Sequence, residues 1–269
     1  GHPFRPQSVE EDEAVLKSLT RDDLAAFHKE FYKPENTVIV IVGDVTPDEA
    51  VTAVEKYFGD WQPAGPARKI VIPEISLASA PSKLVVPIND KSEVNVIYGF
   101  VGKLKRSDPD FYASTVMNNI LGGGGLDSKL GIRIRDQLGL VYGVGSGFDC
   151  GLSDGPWMAS LGTNPVNVDK AVDALDEVIR QYAKNGPTQK EFEEAIDYIT
   201  GVFPIRLETN DGVANILSAA EFYNLGMDYI QRYSSIYRAV TIDQVKKAAK
   251  DHLNPDVRTL VIVGPYKEK

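Results

Sequence analysis

Two side chains in this sequence have the types and spacing to hold a carbonyl oxygen. Arg135 and Tyr142 open and close the stretch RDQLGLVY, seven residues apart (142 − 135 = 7). A guanidinium carries a fork of N–H donors and a phenol carries one O–H. If a Leu-Gly turn brings them together, both donate to a carbonyl on which negative charge builds. Taken bare, the same residues also fit a solvated helix arginine and a strand tyrosine with its ring packed. Just upstream, Gly122, Gly123, Gly124 and Gly125 form an unbroken glycine run between Leu121 and Leu126. On its own that run reads as a helix stop.

Other chemistries are disfavoured. The histidines are His2, His28 and His252, none three or four residues from another, so no helix offers the paired ligands of a zinc site. With Cys150 the single cysteine, thiolate clusters and internal disulfides are excluded. The glycine run is not followed by Gly-Lys-Ser/Thr. Gly143, Gly145 and Gly147 lack the third glycine of a dinucleotide fingerprint, because Phe148 stands in its place. Ser146 lacks the flanking spacing of a nucleophile elbow. A net charge of −9 argues against a nucleic-acid surface. The longest aliphatic run, Val38 to Val42, is a strand length and no membrane span. The opening GHPFRP does not read as a secretory leader, and the compartment stays open.

The elements that must position these residues begin with a repeat. TRDDLAAFHKEFYKPENTVIVIVG (20–43) and TIDQVKKAAKDHLNPDVRTLVIVG (241–264) align without a gap at an offset of 221, with eight of 24 positions identical. Each copy predicts a threonine N-cap, an amphipathic helix, a proline stop (Pro34, Pro255) and a buried strand running to a glycine. In the first copy Asp23 completes the capping signal. The ungapped match points to duplication. The second unit would begin near Lys83, which places the start of the first about 140 residues before residue 1 (83 − 221 = −138). Residues 1–66 then read as the tail of a truncated first unit, 67–82 as a linker rich in proline, alanine and serine, and 83–269 as the second unit.

Within the second unit, strands are expected at Lys83–Ile88, Val94–Val101, Leu140–Phe148 and Pro156–Thr163. Helices are expected at Asp108–Leu121, Leu126–Gln137 and Val166–Lys184. A further helix, opened by a Thr188–Glu191 capping box, runs to Val202. The fold class is α+β, each unit a mostly antiparallel sheet covered by helices on one face.

The glycine loop, the Arg-to-Tyr spacing, the helix leading through proline to Val-x-Val-Gly and the His-Pro-Phe opening together resemble the pitrilysin-type zinc metallopeptidases. That family includes insulin-degrading enzyme and the mitochondrial processing peptidase. The resemblance spans essentially the whole chain and covers the duplication. It implies an inverted H-x-x-E-H zinc motif and a distal Glu in the first repeat, with the motif Glu as general base. The corresponding helix here, within Asp108–Leu121, has no histidine, and the distal Glu falls near Glu191–Glu194. No cofactor is therefore expected in this chain, and zinc is expected in the first repeat or a partner. Arg135 and Tyr142 match the pair that the zinc-free repeat extends toward substrate carbonyls, and Gly122–Gly125 match a loop implicated in substrate handling.

The implied function is the zinc-free, substrate-positioning part of a metalloendopeptidase acting on peptides or unfolded segments. The alternative is a non-catalytic partner or scaffold subunit. Expected partners are a peptide substrate, the missing repeat or a zinc-bearing subunit, and a second copy of the chain through an unpaired edge at Asn36–Gly43.

Overall fold

The structure is a computed structural model that describes residues 5–62, 65–66 and 70–267. The His-Pro-Phe opening, Pro63 and residues 67–69 of the expected linker lie outside the described residues. The chain divides into two compact units. The first draws on residues up to Pro73 with Arg206–Ile230, and the second on Glu74–Ile205 with Gln231 onward.

The second unit is a five-stranded sheet in the order β1-β5-β2-β4-β3: β1 (Ser82–Pro87), β2 (Val94–Val101), β3 (Val141–Phe148), β4 (Pro156–Thr163) and β5 (Thr259–Gly264). Among the described residues only β1 and β5 pair in parallel. Period-two alternation buries one face. That face carries Val94, Val96, Tyr98 and Phe100 of β2, Trp157, Ala159 and Leu161 of β4, and Leu260 and Ile262 of β5. Phe100 and Trp157 stack with ring centroids 5.0 Å apart. On this side α4 (Phe111–Asn118) packs on α9 (Ile242–His252), and α5 (Val168–Asn185) packs on α9 and β2. The Thr188–Glu191 capping box forms as expected, with both reciprocal backbone bonds made, and opens α6 (Gln189–Arg206).

The first unit contains α1 (Val9–Ser18), α2 (Arg21–Phe31), α3 (Pro47–Phe58) and α7 (Asn210–Phe222). The segment read as a repeat keeps its local form. α2 and the 3₁₀ turn Pro34–Asn36 coincide, after adding 221, with α9 and the turn Pro255–Val257. Thr20 and Thr241 both close capping boxes.

The expected buried strand at 38–42 is a correction: those residues are in no strand, and Val38, Ile39 and Ile41 are exposed. The counterpart, β5, is a strand because β1 and β2 flank it on both edges. Strand state requires a ladder, and 38–43 has none among the described residues. α1, α2 and α3 bury no residue and leave Leu24, Phe27, Val51 and Tyr57 in solvent.

Further boundaries differ, among them the end of α6, which runs to Arg206 rather than Val202. The helix expected over Asp108–Leu121 is α-helical only from Phe111 to Asn118 and then widens into a π-helical turn, Asn119–Gly123. The helix expected over Leu126–Gln137 is a 3₁₀ turn, Gly125–Asp127, followed by a second π-helical stretch, Gly131–Gln137.

Candidate functional site

Asn118, at the end of α4, is where the site is pinned to the sheet. Its side-chain oxygen accepts from Trp157 Nε1 and from Ser146 Oγ, both at 2.8 Å, and its Nδ2 donates to the Ser146 carbonyl at 2.9 Å. One amide thereby joins α4 to β3 and β4. Beyond it the backbone must pass close against β3. A Cβ on Gly122 would lie 2.3 Å from Ser146 Oγ and 2.9 Å from Leu130 Cδ1. Gly122 is a glycine of close approach, unlike Gly125, whose φ of +68° is the left-handed conformation. The Ser128 hydroxyl then donates to the Gly125 carbonyl at 2.6 Å and accepts from the Gly131 N–H at 3.1 Å. The glycine run is thus a hydrogen-bonded loop. Gly122→Ala is expected to destabilise the fold by about 1–3 kcal/mol through overpacking, read as a lowered urea midpoint. Gly123→Ala does not address this contact, and a Gly122→Ala midpoint equal to wild type would show that β3 yields freely.

Arg135 lies on the second π-helical stretch. Its Nε donates to the main-chain carbonyl of Tyr142 at 2.9 Å and its Nη1 to the Asp136 carboxylate at 2.9 Å. The structure therefore joins the two residues, by side chain to backbone. The Tyr142 ring is 91% exposed, so it is not the packed strand residue that its β context allowed. Between the pairs Val141–Thr163 and Val144–Leu161, β3 takes three steps where β4 takes two. The extra residue makes a β-bulge at Tyr142 and Gly143, a device that re-aims a side chain. Among the described residues β3 is also an edge strand, paired to β4 alone.

A cavity of about 620 Å³ opens beside the loop, lined among others by Asn119, Gly124, Asp127, Lys129, Glu191 and Tyr198. Lys129 pairs across it with Glu191, whose other oxygen accepts the Thr188 N–H at 2.8 Å. Burial pushes the Glu191 carboxyl up, but the hydrogen bonds from Lys129 and Thr188 outweigh it and leave the group below its ordinary value of 4.5. A depressed carboxylate contributes stability above its unfolded value and loses it as pH falls through the folded one. The stability advantage of wild type over Glu191→Gln is expected to be full at neutral pH and to be lost as acidification passes from the ordinary carboxyl range through the lower value of the folded carboxyl. An advantage that persists in acid would mean the carboxylate's charge is not what holds Lys129.

The residues do not suit a metal. Among the described residues no group of three His, Cys, Asp or Glu is placed to hold one. The buried positions of α4 are Ala113, Ser114, Val116, Met117 and Asn118, none of them a histidine or a carboxylate. His28 stacks on Tyr32 at 4.8 Å, and buried His252 packs between the Gly102 carbonyl and the Asp110 carboxylate, at 2.9 and 2.6 Å from its two nitrogens. Sequence reasoning missed Asn118, Lys129 and Asp136. The amide pair Asn118-Asn119, set between Val116-Met117 and Ile120-Leu121, was the available signal for the first.

A family profile described as "Peptidase M16 inactive domain" matches residues 18–199. An uncharacterized zinc protease of Mycobacterium leprae (strain TN) is 28% identical over all of this chain and 59% of its own length. A Helicobacter pylori relative called a non-peptidase homolog is 24% identical over 94% of this chain and 57% of its own length. The crystal structure of a peptidase M16 inactive domain from Pseudomonas fluorescens superposes with a TM-score of 0.83 at 32% identity, covering 94% of this chain and 59% of that one. The chain thus spans about three fifths of the length of these relatives.

Proposed function

The chain belongs to the peptidase M16 inactive-domain family, and on that premise we propose that it is the zinc-free, substrate-positioning part of a metalloendopeptidase acting on peptides or unfolded segments. The observation that carries this reading is the Tyr142 phenol, exposed on its bulge and tied through its own carbonyl to Arg135. A phenol held out by rigid backbone is a preorganised donor for a peptide carbonyl, and its bond strengthens as negative charge builds on that oxygen. The glycine loop and the cavity beside it give the rest of the peptide a wall to lie against.

Because α4 and Glu191 do not form a metal site, zinc and the general base belong in this reading to another repeat or a zinc-bearing partner. The uncovered apolar faces of α1, α2 and α3 and the unladdered segment 38–43 supply surface for such a partner or for a second copy of the chain. Tyr142→Phe, assayed with the zinc-bearing repeat present, is expected to lower kcat tens of fold to about a hundredfold with little change in KM. Unchanged peptide turnover would overturn the role.

The second reading, a non-catalytic partner or scaffold subunit, draws on the Helicobacter pylori relative's description. An H-x-x-E-H motif earlier in the same gene product favours the protease, and its absence favours the partner.

A further inference from the structure

A bulge places a main-chain carbonyl where the sheet no longer pairs it, and a displaced group of this kind needs a partner to stay put. At the Tyr142–Gly143 bulge that partner is Arg135 Nε, at 2.9 Å. Asp136 takes Nη1 at 2.9 Å, so two of the three guanidinium nitrogens are engaged within the chain. The connecting turn is closed as tightly. The Gly139 N–H donates to the Arg135 carbonyl and the Leu140 N–H to the Ile134 carbonyl, both at 3.0 Å. Gly139 supplies the positive φ of +63° that this closure requires. Thr163 Oγ1, on β4, donates to the Leu140 carbonyl at 2.6 Å. From Arg135 to Tyr142 the chain is therefore a hydrogen-bonded loop fastened at both ends to the sheet. Of its large hydrophobic side chains the most exposed is Tyr142, at 91% against 40% for Leu138.

We infer that Arg135 is a positioning residue: its guanidinium holds the Tyr142–Gly143 bulge, and Tyr142 is the residue of the pair that touches the peptide. The assignment of the peptide contact rests on the proposed function, whereas the latch stands on this chain's own geometry. The chemistry explains why an arginine is used. A planar fork donates from Nε to one acceptor and from Nη1 to another in fixed relative geometry, which the single ammonium of a lysine does not reproduce. Arg135→Lys should therefore keep the charge and lose the latch.

Two measurements test this. In amide spectra of this chain without peptide, Arg135→Lys and Arg135→Ala are each expected to shift the Gly143 N–H, which follows the latched carbonyl, and to speed its hydrogen exchange. The Trp157 indole resonance serves as the folding control. In peptide turnover with the zinc-bearing repeat present, Arg135→Ala is expected to lower kcat, and the Arg135→Ala, Tyr142→Phe double variant to fall no more than about twofold below Tyr142→Phe alone. An unmoved Gly143 resonance in both variants would overturn the latch. Losses that multiply in the double variant would overturn it too, since they mean that each residue touches the substrate independently. A moved Gly143 resonance with a silent Tyr142→Phe would support the latch and sink the peptide contact on which the proposed function depends.

Discussion

Asn118→Ala is expected to destabilise the second unit by roughly 3 kcal/mol, seen as a lowered denaturation midpoint with an unchanged slope. The change removes one acceptor shared by two donors and one donor as well. Trp157, with 0% of its surface exposed, keeps an indole N–H that the apolar core around it cannot satisfy. The Ser146 carbonyl and hydroxyl lose their partners on α4 at the same stroke. An unsatisfied buried donor alone costs about 1–3 kcal/mol, and the space left by the amide adds to it. The consequence reaches the site, because the π-helical turn that begins at Asn119 starts from this anchor. Asn118→Ala should therefore also loosen the loop at Gly122, raising hydrogen exchange there more than at β5. Combining it with Trp157→Phe separates the contributions: Phe removes the stranded N–H, so the Asn118 penalty should shrink in that background. An equal penalty in both backgrounds would show that the indole bond is not what Asn118 provides.

How much of this was legible beforehand depended on whether the deciding contact was local. β4 was expected at Pro156–Thr163 and forms there, and the Thr20, Thr188 and Thr241 caps followed from residues within three positions of each other. The strand at 38–42 failed for the complementary reason. Its residues match those of β5, but strands are completed by neighbours, and β5 has two where 38–43 has none among the described residues. The widening of α4 into a π turn was hidden, and so was the close approach of Gly122 within that turn to Ser146, 24 residues away (146 − 122 = 24). Arg135 and Tyr142 were singled out by spacing and family resemblance. Their coupling through a carbonyl was not, because a bulge appears only when residues are counted across two paired strands. Asn118 left one trace, a polar side chain at an inward helix position, and its three bonds all reach strands distant in sequence.

The second large effect concerns Asp176, on α5, where attraction and desolvation oppose each other. Its Oδ1 accepts from the Tyr98 hydroxyl at 2.8 Å, and its Oδ2 accepts from Arg180 Nε. Arg258 Nε lies 3.4 Å away, buried and without a well-directed hydrogen bond among the described residues, and the Arg258 guanidinium sits 5.6 Å from the Tyr98 ring centre. Burial pushes the Tyr98 phenol well up and its bond to Asp176 adds to that, so the hydroxyl stays protonated and donates. Asp176→Ala strands that hydroxyl in the core and leaves Arg258 without its counter-charge, an expected loss of about 3 kcal/mol. Asp176→Asn keeps an acceptor for Tyr98 but not the charge facing two arginines, so it should fall between the alanine variant and wild type. The order matters more than the size. If alanine and asparagine cost the same, charge alone holds the network. If alanine costs under about 1 kcal/mol, removing the carboxylate's desolvation offsets what its partners contribute, and α5 is held to β2 by apolar packing instead.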